Sequence, residues 1–268
     1  MKNHMEFSGR WVLVTGASSG LGEEMARQLA RQRANLILVA RRGARLNTIK
    51  SELEQAHGIQ CHVIPADLSS PADVDRVHAE AIARADVYAV ILNAGVTHFG
   101  PHLDLDWAGF QNMLATNVTS VVRLVNLFCP YLIRQNQSGG LLLVSSMAGL
   151  LPVPYQAAYA GTKAFITNFS QSLSQELIGE NLSITVFSPG GIDTAMTQGS
   201  KLRHFENTVF LQDVKSCAAD GLAALRARKP LFVPGRLNRT QLFATRFAPR
   251  SLVASIARSA YRRVLDKA

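Results

Sequence analysis

With 268 residues, 47% of them hydrophobic and 18% charged, the chain can bury a large core, which excludes a disordered protein and allows one large α/β domain. Three cysteines without a C-x-x-C pair exclude a disulfide framework and give no metal site. The formal net charge of +9 is concentrated near the C-terminus, since residues 226–268 carry 11 of the 28 Lys and Arg side chains and one of the 19 Asp and Glu side chains. Because a nucleic-acid surface needs cations along a face of the fold, no nucleic-acid partner is expected.

The cysteines and the apolar stretches also bear on location. Residues 1–9 are polar and lead directly into a strand-like segment, which leaves no room for a signal peptide. Arg123 interrupts the longest apolar stretch, residues 118–133, so no membrane span is expected. Unpaired cysteines suit a reducing compartment. We therefore expect a cytoplasmic protein.

Strands and helices alternate along the sequence. Strands are predicted at residues 11–14, 36–40, 60–64, 87–92, 141–145 and 183–187, with a last strand at Phe232 and Val233. Helices are predicted from Gly22 to about Arg33 and at about 45–56, 71–84, 107–135 and 156–177, the fourth broken near Asn117. This alternation predicts a single Rossmann-type, doubly wound parallel α/β sheet of about seven strands, with helices on both faces, over residues 1–235. A basic C-terminal helical extension follows at residues 236–268.

Four polar or glycine-containing segments follow predicted strands. They are Thr15–Gly22, Asn93–Gly95, Ser145–Ser146 and Pro189–Gly190. Because parallel strands bring their carboxyl ends to one edge of a sheet, where ligands bind, these segments predict a single site.

The first of these segments has the glycine spacing of a nucleotide-binding turn. Glycines at positions 16, 20 and 22 let the backbone turn tightly and approach a pyrophosphate, and the following helix N-terminus offers free N–H groups. A tight turn without a ligand would need similar glycines. Their place between a strand and a helix favours nucleotide binding.

The second strand ends in residues that bear on the choice of nucleotide. Ala40 stands where an NAD site usually has an acidic residue, and Arg41 and Arg42 follow it. A guanidinium binds a 2′-phosphate with charge-assisted bonds, so the pair favours NADP(H) over NAD, although a solvated basic pair on a loop is common. Asp67 after the third strand could accept a bond from the adenine amino group or cap its own loop.

Tyr159 and Lys163 lie four residues apart in a predicted helix and so project from the same face. A lysine cation beside a tyrosine favours the phenolate, and Ser146 can hydrogen-bond a substrate carbonyl. A hydride from a nicotinamide and a proton from Tyr159 would then reduce that carbonyl to an alcohol. The Y-x-x-x-K pair alone is common in unrelated chains.

Taken together, these motifs resemble the classical short-chain dehydrogenase/reductase family over about residues 8–194. Residues 15–22 match the family's T-G-x-x-x-G-x-G motif, residues 93–95 its N-A-G element, and residues 189–194 its P-G-x-x-x-T segment. Ser146 precedes Tyr159 by 13 residues, which is the family's spacing. The resemblance implies a catalytic tetrad of Asn117, Ser146, Tyr159 and Lys163.

The same resemblance implies where the cofactor binds. The expected NADP(H) contacts are Gly16, Ser18, Ser19, Gly20, Leu21, Gly22, Arg41, Arg42, Asp67, Leu68, Asn93, Ala94, Gly95, Tyr159, Lys163, Pro189, Gly190, Ile192 and Thr194. Ser19 stands where some NADPH-dependent members carry a second cation, so the preference depends on Arg41 and Arg42. Ser145 is expected to point away from the substrate, because successive side chains of a strand alternate.

A mobile lid over the substrate is implied at residues 194–215. Apolar residues occur there and near the site entrance, and they are Met196, Leu202, Phe205, Phe210 and Leu211, with Val96, Phe99, Leu150, Leu151, Val153 and Tyr155 at the entrance. They favour an apolar ketone or aldehyde, although each could equally serve core packing. His98 and His102 nearby show no metal-ligand spacing, and no metal is expected.

Three functions remain open on this evidence. The first is NADPH-dependent reduction of an apolar ketone or aldehyde, and the second is reduction of a carrier-bound or lipid 3-oxoacyl chain. The third is a nucleotide-binding regulatory or scaffold protein without turnover, which the presence of Tyr159 and Lys163 disfavours. The resemblance implies a homodimer or homotetramer through helices 107–135 and 156–177.

The C-terminal extension predicts a final helix after Pro249 with two chemically different sides. One side is apolar, with Leu252, Val253, Ile256, Ala260 and Val264, and another is basic, with Arg250, Arg258 and Arg262. Such a helix could lie peripherally on an anionic membrane or pack its apolar side on the protein itself. Packing is favoured, because most amphipathic helices of globular chains cover a core.

Overall fold

The computed structural model describes residues 4–192, 211–245 and 247–265. Nine strands are described: β1 Trp11–Thr15, β2 Asn35–Ala40, β3 Cys61–Pro65, β4 Val87–Leu92, β5 Gly139–Val144, β6 Leu182–Phe187, β7 Gly191–Ile192, β8 Leu211–Gln212 and β9 Leu231–Phe232. Seven of them form one parallel sheet in the order β3-β2-β1-β4-β5-β6-β9, and β7 pairs with β8 beside it. This confirms the predicted doubly wound sheet.

The helices within the described residues are α1 Gly20–Arg31, α2 Gly43–His57, α3 Pro71–Arg84, α4 Trp107–Leu114, α5 Ser120–Gln135, α6 Ala157–Glu176, α7 Val214–Arg226, α8 Arg236–Thr245 and α9 Arg250–Leu265. Short 3₁₀ turns cover His102–Asp104 and Met147–Gly149. Helix α3 starts where the sequence predicts, because Pro71 is its first residue and the Ser70 hydroxyl accepts a hydrogen bond from the Asp73 N–H at 3.4 Å.

The core lies on both faces of the sheet, because successive strand side chains point to opposite sides. Val12 and Val14 of β1 pack with α1, α2 and α7, whereas Leu13 between them packs with α3, α5 and α6. Strand β4 and strand β5 are buried along their whole length, which explains their unbroken apolar sequences. The helices therefore cover both faces, as predicted.

The predicted break near Asn117 is a π turn, Ala115–Thr119, between α4 and α5. The helical stretch Trp107–Gln135 has the predicted bounds, and it is the one stretch of the described chain that is long and apolar enough to cross a membrane. Half of the most apolar segment of this stretch is buried inside the protein, where α5 places Leu124 and Phe128 in the core. A core helix meets the same length and composition criteria, so the stretch is weak evidence for a span.

Helix α7 was not predicted from the sequence, whereas α8 lies in the helical extension predicted at residues 236–268. Helix α7 has a recognisable start, because the Asp213 carboxylate accepts a bond from the Ser216 N–H at 2.9 Å, and it buries Leu222 and Leu225. Helix α9 begins directly after Pro249, as predicted. The last strand is Leu231–Phe232, one residue earlier than expected.

Candidate active site

A large cavity of about 1020 Å³ lies at the carboxyl ends of the sheet strands. Its wall contains most residues that the sequence assigned to one site: Gly16, Ser18, Ser19, Gly20, Leu21, Arg41, Arg42, Asp67, Leu68, Asn93, Ala94, Gly95, Ser146, Tyr159, Lys163, Pro189, Gly190 and Ile192. Gly22 and Asn117 lie behind this wall, and Thr194 lies outside the described residues. The predicted segments therefore do meet at one edge.

The glycine turn is built by close approach of two backbones. Gly16 has φ +67°, and a Cβ on Gly22 would collide with the Gly16 carbonyl oxygen and lie 2.5 Å from Asn93 Nδ2. Asn93 Nδ2 donates to the Thr15 carbonyl at 3.1 Å, which joins the ends of β1 and β4. Gly22 thus permits packing behind the cavity, which explains why it does not line it.

This turn fits a pyrophosphate. Helix α1 starts at Gly20 on the cavity wall, and Ser19 provides no side-chain cap to its first turn within the described chain. A helix N-terminus with open N–H groups and its dipole favours an anion. The residues present therefore fit the phosphates of a dinucleotide.

The two arginines after β2 both line the cavity but differ in their contacts. Arg42 lies across the glycine turn, with Nη2 donating to the Ser18 Oγ at 3.0 Å and to its carbonyl oxygen at 3.1 Å. Arg41 is exposed. Both guanidinium groups belong to the end of the cavity formed by β2, as the sequence predicted, and Arg42 is the one held in place by the turn itself.

Asp67 makes the contacts expected of a loop cap. Its Oδ1 accepts bonds from the Ser69 N–H at 3.0 Å and the Ser69 hydroxyl at 2.8 Å. These bonds, with a smaller contribution from the charge of Arg41, lower the pKa of Asp67, so the carboxylate is ionised. Contact with an adenine stays a prediction.

Strand β5 and helix α6 bring the predicted acid–base residues together. Lys163 Nζ donates to the Val144 carbonyl at 2.9 Å and lies 5.7 Å from the centroid of the Tyr159 ring. Ser146 Oγ accepts a bond from the Ala148 N–H at 3.1 Å, and its side chain hydrogen-bonds Tyr159. The turn that carries Ser146 packs tightly on α6, since a Cβ on Gly149 would lie 2.6 Å from the Lys163 carbonyl oxygen.

Burial dominates the ionisation of this pair. It raises the pKa of Tyr159, an effect that the Ser146 hydrogen bond opposes, and it lowers the pKa of Lys163 from 10.5 to about 8. The sequence led us to expect that Lys163 would favour the Tyr159 phenolate. That expectation stays a prediction: the Lys163 ammonium donates to the Val144 carbonyl, and burial disfavours the charged forms of both residues. Tyr159 is held as the neutral phenol, which is the form that donates a proton.

Asn117 occupies the π turn and is 1% exposed. Its Oδ1 accepts from the Val96 N–H at 2.8 Å, and its Nδ2 donates to the Val96 carbonyl at 2.8 Å and to Thr162 Oγ1 at 3.1 Å. The side chain therefore ties the loop after β4 to α6. Asn117 and Lys163 both abut Gly95, where an added Cβ would lie 3.3 Å from Asn117 Oδ1 and 3.5 Å from Lys163 Nζ.

Ser145 is turned away from the position of a substrate. Its hydroxyl donates to the Lys163 carbonyl at 2.9 Å and contacts Thr167 Oγ1 at 2.7 Å. The side chain is 2% exposed and holds β5 to α6. This is the arrangement that strand alternation predicts.

The sequence missed one whole wall of the cavity. This wall is formed by the C-terminal extension, with Asn238, Gln241, Ala244, Thr245, Ala248, Val253, Ile256, Ala257, Ala260 and Tyr261. A Cβ on Gly190 would lie 2.8 Å from Asn238 Nδ2, so α8 packs directly on the turn after β6. Three members of the predicted apolar stripe thus cover the protein's own cavity. The apolar spacing of α9 was visible in the sequence, but its partner was not.

The predicted substrate approach is only partly described. Val96, Leu151 and Val153 line the cavity, and Phe99 packs against Tyr261 with ring centroids 5.6 Å apart. The predicted lid residues Met196, Leu202, Phe205 and Phe210 lie outside the described residues. Within the described chain, no group of three or more His, Cys, Asp and Glu side chains could hold a metal ion.

Comparison with known proteins places these features in context. Residues 10–204 match the family model described as short chain dehydrogenase. The very-long-chain 3-oxoacyl-CoA reductase of Neurospora crassa is 34% identical over 194 residues, which are 71% of this chain and 58% of that protein. The 11-beta-hydroxysteroid dehydrogenase of Pinus massoniana is 34% identical over 210 residues, 78% of this chain and 58% of that protein. The chain thus spans less than two thirds of the length of these relatives.

Solved structures share the fold over nearly the whole chain. A short-chain dehydrogenase from Sphingobium yanoikuyae in complex with NADPH has a TM-score of 0.81 and 26% identity, covering 91% of this chain and 94% of that chain. A 7beta-hydroxysteroid dehydrogenase has a TM-score of 0.84 at 22% identity, covering 95% of this chain and 99% of that chain. This likeness concerns the fold alone.

The buried lysine predicts a pH dependence of stability. Because the folded pKa of about 8 lies below the usual 10.5, the folded chain binds fewer protons than the unfolded chain between these values. The free energy of unfolding therefore gains from Lys163 as the pH rises through this window, and it lacks that gain below pH 8. The Tm of the wild type should therefore rise relative to the Tm of Lys163→Met as the pH increases from 7 to 10.

Thermal unfolding followed by circular dichroism measures this difference. Lys215→Met, which removes an exposed lysine, is the control and should leave the pH profile parallel to that of the wild type. A Tm difference for Lys163→Met that does not change with pH would contradict the depressed pKa.

Proposed function

We propose that this chain, which belongs to the short-chain dehydrogenase family of oxidoreductases, uses NADP(H) to reduce an apolar ketone or aldehyde to an alcohol in a reversible reaction. One observation carries this proposal: the glycine turn, the Ser146–Tyr159–Lys163 cluster and an apolar wall share one cavity of about 1020 Å³. A nucleotide at the turn and a carbonyl compound at Tyr159 would therefore meet inside the protein.

The side chains of this cluster supply the acid–base part of such a reaction. A reduced nicotinamide, when bound, supplies the hydride. Ser146 hydrogen-bonds the carbonyl oxygen and orients it towards Tyr159, whose neutral hydroxyl donates its proton to that oxygen. The Lys163 ammonium stabilises the resulting phenolate and, with a pKa of about 8, can return a proton to it. Asn117 holds the loop that carries Val96 against α6, so it positions the cluster from behind.

The preference for NADP(H) rests on the cations at the end of β2. A 2′-phosphate at this position would meet Arg41 and Arg42 and no carboxylate of the kind that selects NAD, because residue 40 is alanine. The Sphingobium yanoikuyae relative was solved with NADPH, which supports the same choice. The proposed binding residues are the predicted set, from Gly16 to Ile192, that lines the cavity.

Reduction of a 3-oxoacyl chain is the second candidate. It is favoured by the relatives named very-long-chain 3-oxoacyl-CoA reductase, among them those of Neurospora crassa and Scheffersomyces stipitis. The apolar wall suits a lipid acyl chain as well as a simple ketone. A nucleotide-binding protein without turnover is the weakest candidate, since Ser146, Tyr159 and Lys163 lie side by side in the cavity.

We also propose a homodimer or homotetramer built through the stretch of α4 and α5 and through α6. Trp107 and Leu114 of α4 are 69% and 41% exposed, and Phe165 of α6 is 47% exposed. Exposed apolar side chains of this size are typical of surfaces that associate.

Replacing Tyr159 with phenylalanine tests the chemistry. The proton donor is lost while the ring and the nucleotide contacts remain, so turnover should fall at least a thousandfold, roughly, with little change in NADPH binding. NADPH oxidation is followed by absorbance with ketones, aldehydes and 3-oxoacyl thioesters, and the panel also separates the two candidate functions. Tyr88→Phe, a core tyrosine of β4, is the control. Comparable turnover by Tyr159→Phe would refute the assignment.

Cofactor preference is tested at the two arginines. The Arg41→Ala/Arg42→Ala double variant should weaken NADPH binding by roughly tenfold or more and NADH binding far less, because only NADPH carries the 2′-phosphate. Both affinities are measured by fluorescence titration. Arg45→Ala removes a cation of α2 that pairs with Glu23 outside the cavity wall, and it should not discriminate. An equal loss for both cofactors in the double variant would exclude a phosphate contact.

We further propose a cytoplasmic enzyme whose C-terminal extension touches anionic membranes. Phe243, Phe247 and Leu252 are 60%, 78% and 51% exposed there, and Arg250 and Arg258 are exposed as well. Apolar side chains among cations suit the surface of an anionic bilayer. The basic outer side of the extension, with its exposed phenylalanines, is the surface offered to lipid.

Vesicle sedimentation tests this contact. The protein should pellet with anionic vesicles at low salt and be released at high salt, because the attraction of the arginines is screened. Neutral vesicles are the control, and Phe247→Glu should weaken the binding. If the protein stays in the supernatant with anionic vesicles at low salt, the extension does not serve as a membrane contact.

A further inference from the structure

One side of α9 faces the cavity over two helical turns. Val253, Ile256, Ala257, Ala260 and Tyr261 line it, a spacing of three, four, seven and eight residues from the first. This spacing places all five side chains on one face of an α-helix. Four of the five are aliphatic, so the face offers a continuous apolar strip to whatever enters the cavity.

The strip begins at the catalytic cluster. Tyr261 packs on Phe99, with ring centroids 5.6 Å apart, and a charge on Tyr261 would raise the pKa of Tyr159, so the two phenols lie within electrostatic range. Val253 lies eight residues earlier, about 12 Å along the helix axis. A substrate whose carbonyl reaches Tyr159 could therefore extend along α9 for the length of a medium aliphatic chain.

Within the described residues, part of the strip is left exposed. Ile256 is 63% exposed although it is apolar and lines the cavity. Water leaves such a surface favourably when an apolar group covers it. An aliphatic tail in the cavity would cover Ile256 in a way that no described part of the chain does.

We propose that α9 is the binding wall for the apolar tail of the substrate, and that Ile256 selects long substrates over short ones. This inference rests on the proposed carbonyl reductase function and names the part of the chain that gives the substrate its size. The C-terminal extension is then part of the active site, and the catalytic cluster itself is indifferent to chain length.

A pair of aspartate variants tests this wall. Ile256→Asp places a charge on the apolar strip, and Ser255→Asp places the same charge on the exposed opposite side of α9. The kcat/KM values for butanone and 2-dodecanone are compared with NADPH, without vesicles. Ile256→Asp should lower the ratio of the 2-dodecanone value to the butanone value at least tenfold, roughly. Ser255→Asp should change neither.

The other outcomes contradict either the proposed α9 binding wall or the proposed carbonyl reduction, and the two cases can be told apart. Equal losses for both ketones in Ile256→Asp, no loss for either, or the same loss in Ser255→Asp would overturn the inference. If the wild type reduces no carbonyl compound, the proposed function falls, and calorimetric binding of 2-dodecanone to the same three proteins then decides the wall. Binding lost only in Ile256→Asp supports it, whereas equal binding by all three overturns it. Thermal unfolding confirms that the variants are folded, since Ile256 is exposed.

Discussion

The parallel direction of the seven sheet strands is the constraint on which the rest of the molecule depends. It brings the ends of β1, β2, β4, β5 and β6 to one edge, where residues from distant parts of the sequence share a cavity. The close packing of Gly22 on Gly16 and Asn93 sets how near the start of α1 can come to the end of β4. A side chain at position 22 would separate these backbones and widen the nucleotide end of the cavity.

Desolvation is the second constraint, and it acts at the chemical end. Burial raises the pKa of Tyr159 and lowers that of Lys163, so the proton donor stays protonated while the lysine can exchange its proton near neutral pH. The hydrogen bonds of Ser145, Asn117 and Val144 to α6 or its side chains hold this pair in place. Of these three residues, Asn117 lies outside the cavity wall, so part of the support comes from behind the site.

Local patterns in the sequence were enough to predict the sheet, the glycine turn and the positions of Ser146, Tyr159 and Lys163. Strand alternation alone was enough to turn Ser145 away from the site. Burial could not be read from the sequence, and burial is the main cause of the raised pKa of Tyr159. Long-range packing was not visible either: Arg42 on Ser18, Asn117 on Val96 and Asn238 against Gly190 each join segments that are far apart in the chain.

The C-terminal extension shows the same limit most clearly. Its apolar and basic sides could be read from the sequence, but whether the apolar side met a membrane or the protein depended on the path of the chain after β9. The position of helix α8 could not be read from the sequence, because it has few apolar residues in a regular pattern, yet it lines the cavity beside α9. The extension adds an apolar wall to the cavity.

Isotope transfer tests the central claim, that a nicotinamide and a carbonyl compound react within this one cavity, most directly. The protein is incubated with 2-dodecanone and NADPH that carries deuterium at the transferable position of the nicotinamide, and the alcohol is analysed by mass spectrometry. The account predicts one deuterium on the carbinol carbon of the product and none from deuterated water at that carbon. Alcohol that carries no label, or none formed from any ketone, aldehyde or 3-oxoacyl thioester, would contradict it.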